Sequence, residues 1–374
     1  MDATSGEPKL FTPGPLTTSR TVKEAMLIDL GSREVEFTDV IAKFRRQLLD
    51  LAGVTKEAGF EAVPVQGSGT YGIEAMISSA VPAGGKLLVL VNGVYGDRMV
   101  AIAAIHGIST ATVKTSDRTV PTPREVEEAL AADPAITHVA VVHCETTTGI
   151  LNPVTEIGRV VKNAGKTYLI DAMSSFGGIP LTFDESRADF IVSSSNKCIE
   201  GVPGFSFVLA RRASLDACAG QARTMTLDLH AQWAALEKSG QFRFTPPTHV
   251  MLAFSRALDE LIAEGGVAAR NLRYAKNQAR VAEGMRALGF HTVIKEEWQS
   301  PIITTFLDPT HPNYDFEALH DALKKRGCAI YPGKLSQGDA FRIGSVGQLF
   351  PEDIEHLLTS MEESLVELGI EMEP

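Results

Sequence analysis

The chain has 374 residues, 44% of them apolar and 22% charged, a balance that excludes disorder, collagen and coiled coil as descriptions of the whole. Against 46 acidic residues stand 35 Lys and Arg, a net charge of −11, and no basic run exceeds Lys324-Lys325-Arg326, so no basic face is offered to nucleic acid. Apolar runs are strand-sized, well short of the roughly 20 residues a membrane span needs.

At about 100–200 residues per domain, the length allows two units. Residues 10–15, with Pro13-Gly14-Pro15, are predicted to be extended, neither helix nor central strand, and to cross towards a second unit or a partner. Strands are then predicted at 62–65, 87–91, 111–114, 138–143, 168–171, 190–193 and 205–210, with helices at 72–80, 97–105, 123–130 and 154–164 between them. Near-continuous Val/Ile/Leu strands alternating with helices indicate an α/β fold whose parallel sheet is buried on both faces. Beyond residue 210 that rhythm stops. A long helical region, 248–288, breaks near Gly265-Gly266. Strand-like 302–306, a helix at 316–326, strand-like 329–331 and 341–343, and a helix at 351–368 follow. The expected organisation is therefore an N-terminal segment, 1–20, a large unit, 21–250, and a smaller α+β unit, 251–374.

Three strand-end motifs carry chemistry. Gln66-Gly67-Ser68-Gly69-Thr70-Tyr71-Gly72 follows a strand and opens a helix, where hydroxyls and free amides can take a phosphate. It is neither a Walker loop nor a dinucleotide fingerprint, since no Gly-Lys-Ser/Thr and no later strand-end acid accompany it; otherwise it is a tight turn with a Ser or Thr cap. Asp171 ends the strand Tyr168-Leu169-Ile170, at the edge where open α/β sheets bind ligands. It is suited to a metal, a ribose, a protonated ring nitrogen, or simply to capping the Ser174-Ser175 turn. Lys197 closes Ser193-Ser194-Ser195-Asn196-Lys197, and a deprotonated lysine forms Schiff bases. An exposed loop lysine is the plain reading of any single Lys, but not of one following a phosphate cup and a strand-end Asp in this order.

Together these motifs resemble the fold-type-I pyridoxal-phosphate enzymes, and more narrowly the aminotransferase group that includes alanine–glyoxylate and serine–pyruvate transaminases. Phe11-Thr12-Pro13-Gly14-Pro15, His143-Cys144-Glu145-Thr146-Thr147-Thr148-Gly149 and Phe341-Arg342-Ile343-Gly344 also fit that group, so the resemblance covers nearly the whole chain. It implies a mainly parallel seven-stranded sheet flanked by helices and a smaller C-terminal domain. It implies pyridoxal 5′-phosphate as cofactor and no metal. Lys197 would hold the cofactor and move protons, Asp171 would pair with the ring nitrogen, and Ser68, Gly69 and Thr70 would hold the phosphate. Tyr95 would stack on the ring, although a core or interface tyrosine remains its alternative. Thr146 would lie near the ring oxygen, and Thr245 would reach the phosphate of a neighbouring subunit, which makes the enzyme a homodimer. Arg342 would take the substrate carboxylate, with Arg20 and Lys334 as further basic groups.

The resemblance further implies 2-aminoethylphosphonate as amino donor and pyruvate as acceptor. Alanine–glyoxylate or serine–glyoxylate transamination is the alternative, followed by a pyridoxal-phosphate lyase or desulfurase; a non-catalytic binder would need neither Lys197 nor Asp171. The cysteines, Cys144, Cys198, Cys218 and Cys328, share no zinc or redox spacing and read as packing residues. His143 reads as a hydrogen-bonding strand-end residue. With no basic and apolar leader at the N-terminus, a cytoplasmic location is expected.

Overall fold

The computed structural model describes residues 7–333, 335 and 338–372; Lys334 lies outside them. All seven expected strands are present: β1 (Phe60–Gln66), β2 (Lys86–Val91), β3 (Ser109–Lys114), β4 (Ile136–Val142), β5 (Thr167–Asp171), β6 (Phe190–Ser194) and β7 (Phe205–Arg211). They form one sheet in the order β1-β7-β6-β5-β4-β2-β3. Only β7 runs antiparallel, to β1 on one side and β6 on the other.

Alternate residues of these strands feed opposite cores. Leu88, Leu90, Tyr168 and Ile170 point to one face, Leu87, Val89, Val91 and Leu169 to the other, and all are buried. Burial on both sides is what near-continuous apolar strands require. On the first face pack α1 (Val35–Leu51), α4 (Pro123–Ala132) and α5 (Val154–Asn163); on the second pack α2 (Gly69–Ala80), α3 (Val94–Ile105) and α6 (Leu229–Ser239). Helices α1 and α6 fall outside the sequence expectation.

The long helical region is the pair α7 (Thr248–Glu264) and α8 (Gly266–Ala287), joined at Gly265. Phe254 of α7 meets Phe44 of α1 and Phe205 of β7 edge-on, at ring-centroid distances of 5.5 and 4.8 Å. Helix α7 thus belongs to the core of the large sheet, and the C-terminal core begins with Val281 and Met285 on α8. That second core is closed by α9 (Phe316–Lys325), α10 (Pro351–Glu367) and an antiparallel sheet of β8 (Ile303–Leu307), β10 (Ala340–Gly344) and β9 (Tyr331–Pro332), in that order.

The expected strand at 329–331 divides. Cys328–Ala329 pairs with Lys9–Leu10, while Tyr331–Pro332 pairs with β10. The physical reason is that Ile330 turns into the small core between two different hydrogen-bonding partners. The extended N-terminal segment does cross to the C-terminal unit: Phe11 donates its N–H to Ala329, and Gly344 donates to Phe11.

Candidate active site

The carboxyl ends of β1, β4, β5 and β6 converge on a cavity of about 200 Å³ whose wall includes Ser68, Gly69, Thr70, Tyr95, Asp171 and Lys197. Six of the residues singled out in the sequence therefore share one space. Its floor is the start of α2. Ser68 is the N-cap, yet its hydroxyl does not bond its own helix. Tyr71 and Gly72 donate back to the Ser68 carbonyl, which leaves the Gly69 and Thr70 amides at the open helix end. Gly69 is required there because a Cβ would collide with Met173 Sδ on the turn after Asp171.

Asp171 is 5% exposed, and its Oδ1 accepts the Met173 N–H at 2.9 Å. Burial pushes its carboxyl up to about 6, opposed by that hydrogen bond and by the charges of Arg98 and Lys197. His143, behind it, bonds Ser175 Oγ at 2.9 Å and is held neutral by burial, its pKa down to about 4.

Lys197 stands on the turn between β6 and β7. Its Nζ donates to two backbone carbonyls of the N-terminal segment, Pro13 at 3.0 Å and Gly14 at 3.4 Å. Burial pulls the amine down to about 8; the Arg342 charge adds to this and Asp171 opposes it. An enclosed amine near neutrality beside a strand-end carboxylate is equipped to condense with a carbonyl and to shuttle a proton. The segment approaches so closely that a Cβ on Gly14, at φ +123°, would sit 2.7 Å from both Cδ and Nζ of Lys197.

Arg342, on β10, is 4% exposed. Its Nε donates to Pro332 O at 2.9 Å and its Nη1 to Thr146 O at 3.0 Å. Arg342 and Thr146 are thus joined to each other and stand behind the cavity wall. Glu145 connects them to it: its carboxylate accepts the Thr147 N–H and hydroxyl at 3.2 and 2.8 Å, and the Tyr95 N–H at 3.2 Å. Burial raises this carboxyl to about 7. Thr245 is not in the cavity of its own chain; it is exposed, in a separate depression with Arg33 and Arg243. Arg20 is exposed on the N-terminal helical turn, away from the cavity wall.

Three neighbours were not anticipated. Arg98 lines the cavity, and Ser194 Oγ, also in the wall, is buried without a hydrogen-bond partner, as is Thr146 Oγ1. Glu200, three residues after Lys197, anchors a buried cluster. Its carboxylate accepts from Arg273 at 2.9 Å, Tyr274 at 2.5 Å and Gln348 at 2.5 Å, while fully buried Arg270 donates to the carbonyls of Cys198 and Ile199 at 2.9 and 3.3 Å. Arg98 stands three positions after Tyr95 and so shares its helix face, a signal the sequence did contain.

The class-V aminotransferase family matches residues 23–342. The chain belongs to the class-V aminotransferases. It is 51% identical over 361 residues to a 2-aminoethylphosphonate–pyruvate transaminase of Syntrophobacter fumaroxidans, covering 96% of this chain and 97% of that one. To the enzyme of the same name from Vibrio vulnificus it is 50% identical, covering 95% and 97%. Among solved structures, this class-V aminotransferase superposes on the ureidoglycine–glyoxylate aminotransferase of Bacillus subtilis with a TM-score of 0.90 at 22% identity, covering 100% and 96% of the two chains. It superposes on the alanine–glyoxylate aminotransferase of Nostoc sp. with 0.87 at 25%, covering 98% and 97%. These neighbours are fold-type-I aminotransferases, the fold described above.

Proposed function

We infer that this aminotransferase moves the amino group of 2-aminoethylphosphonate to pyruvate, giving phosphonoacetaldehyde and L-alanine. The observation that carries this reading is identity of about half over nearly the full length of enzymes so named. The cofactor is pyridoxal 5′-phosphate, and the residues present fit it: an open helix end for its phosphate, a buried strand-end acid, a near-neutral lysine, and buried Ser194 and Thr146 hydroxyls with no partner. When bound, it supplies an electron sink for the bond broken at the substrate's amine-bearing carbon.

The chain's own residues do the rest. Lys197 would hold the cofactor, and its Nζ would move the proton at that carbon. Asp171 would pair with the protonated ring nitrogen; burial raises its own pKa, and an opposite charge beside it would favour the carboxylate. Ser68, Gly69 and Thr70 would hold the phosphate, with Tyr95 and Thr146 towards the ring. Arg342 receives the anionic group of each substrate in turn, phosphonate and then carboxylate, through a planar fork suited to both. The Pro13 and Gly14 carbonyls cover one side of the Lys197 amine.

A homodimer belongs to this reading, with Thr245 reaching the partner's phosphate. Exposed Tyr71 and Phe244, at 53% and 40%, share one depression and support a covered surface there. So does a division into an N-terminal segment, a large unit and a small unit, with the core changing along α8. So too does a cytoplasmic location: the four cysteines are free and buried, and no helix among the described residues is long and apolar enough to cross a membrane. The desulfurase alternative requires an exposed, activated thiol, whereas burial pushes Cys144, the thiol in the cavity wall, up to about 12.

The test is a single-turnover donor scan that follows loss of the bound cofactor's visible absorbance. Bleaching by 2-aminoethylphosphonate and alanine, with little by serine, is expected; bleaching by serine or alanine alone would move the enzyme to glyoxylate-type transamination. In Arg342→Ala, the apparent KM for pyruvate rises roughly 10- to 100-fold, the loss expected of a charge-assisted pair.

A further inference from the structure

The cavity wall holds a second cation besides Lys197. Arg98, on α3, is half-buried and lines the cavity beside Ser68, Gly69 and Thr70. Its guanidinium lies over the Tyr95 ring, 4.9 Å from the centroid, a cation–π contact that restrains it. Nη1 donates to Thr70 Oγ1 at 3.0 Å. Among the described residues, no carboxylate comes within ion-pairing distance of it, whereas Arg270 and Arg273 are each held by Glu200 and Glu264. A guanidinium carries five donors, so four remain unspent.

The bond to Thr70 has a second consequence. The hydroxyl accepts from a cation, so its own proton is still to be donated, and donation into the cavity is strengthened by the charge behind it. Gly69 and Thr70, at the open end of the same helix, line the same cavity. A guanidinium fork, a polarised hydroxyl and a helix N-terminus around one space form a receptor for a multiply charged, tetrahedral oxyanion.

We propose that Arg98 is the principal charge that anchors the cofactor's phosphate ester, leaving Arg342 free for the anionic groups of the substrates. This rests on the pyridoxal-phosphate reading given above. Arg98 also bears on Asp171, whose carboxyl its charge helps keep ionised. The two effects separate by ligand: an anchor of the phosphate discriminates pyridoxal phosphate from pyridoxal, while an effect through Asp171 or Tyr95 acts on the ring and touches both.

The experiment strips the purified holoenzyme of cofactor and measures equilibrium binding of pyridoxal 5′-phosphate and of pyridoxal to wild type, Arg98→Gln and Arg98→Lys. Circular dichroism and the thermal midpoint report folding. In Arg98→Gln, pyridoxal phosphate weakens roughly 10- to 100-fold, as when a charge-assisted hydrogen bond is lost, and pyridoxal stays within about twofold. Arg98→Lys falls between, since an ammonium keeps the charge but not the fork. It carries the same ratio test should the Gln variant fail to fold. Equal weakening of both ligands, or of neither, overturns the proposal. A wild-type protein that binds neither ligand would instead sink the cofactor reading beneath it.

Discussion

Lys197 and Glu200 stand on the same turn with opposite surroundings. Lys197 meets two backbone carbonyls and, among the described residues, no carboxylate within bonding distance, and its amine is held far below the ordinary lysine value. Glu200 is saturated by Arg273, Tyr274 and Gln348, with Arg270 closing the cluster at 3.8 Å. Its backbone is itself in the left-handed region, φ 65°, a strain that only dense bonding sustains. The contrast shows how a rigid site is made. Charge left uncompensated gives reactivity at one residue, and charge fully compensated a few residues on gives that residue a fixed place.

The strongest break of the contrast is Lys197→Ala, which abolishes turnover and the visible absorbance of the bound cofactor while circular dichroism stays native; a retained band would exclude Lys197 as the attachment point. Next, Arg270→Met leaves Glu200 short of a cation and two turn carbonyls unbonded. It should lower stability by about 3–5 kcal/mol in denaturant unfolding, the range for breaking a buried ionic cluster. Gly14→Ala places a methyl against Lys197 Nζ at a left-handed φ. We expect about 1–3 kcal/mol of lost stability and a kcat that falls more than KM rises, since the displaced group is the amine.

The smallest effect depends on pH. A lysine pulled down to about 8 binds fewer protons in the folded apoprotein than in the unfolded chain from there up to the ordinary value near 10.4. Its destabilising share is therefore complete below pH 8 and relieved as the pH rises through that window. Apoprotein carrying Lys197→Met should thus be more stable than wild type at pH 7, with the gap closing towards pH 10. The rate of covalent cofactor attachment to wild-type apoprotein should level off near pH 8. A rate that kept climbing to pH 10 would mean the amine is not depressed.

The large sheet was legible because its strands are runs of Val, Ile and Leu, Asp171 because it ends one of them and Lys197 because it stands on the turn just after another. Helix α1 was missed although Phe37, Ile41, Phe44 and Leu48 recur at helical spacing, and all four are buried. The Glu200 cluster was not legible. Arg270-Asn271-Leu272-Arg273-Tyr274 looks like the wet face of an amphipathic helix, and nothing local says that its arginines turn inward to a loop some 70 residues earlier in the chain. Ala329–Tyr331 looks like one strand because sequence does not register a change of partner. Nor does sequence show that Arg98 meets no carboxylate among the described residues, since an absent pair becomes visible only when the neighbours are placed.

The N-terminal segment ties completion of the pocket to both units. Lys9–Leu10 pairs with Cys328–Ala329, and Thr17 accepts from Gln348, so the segment above Lys197 is held by stretches far later in the chain. The Pro13 and Gly14 carbonyls that meet the Lys197 amine therefore depend on a contact made by the C-terminal unit. A large unit without the C-terminal stretch would carry the lysine and the acid and still lack the pairing that holds the roof in place. Docking of the two units on each other is in that sense part of building the pocket.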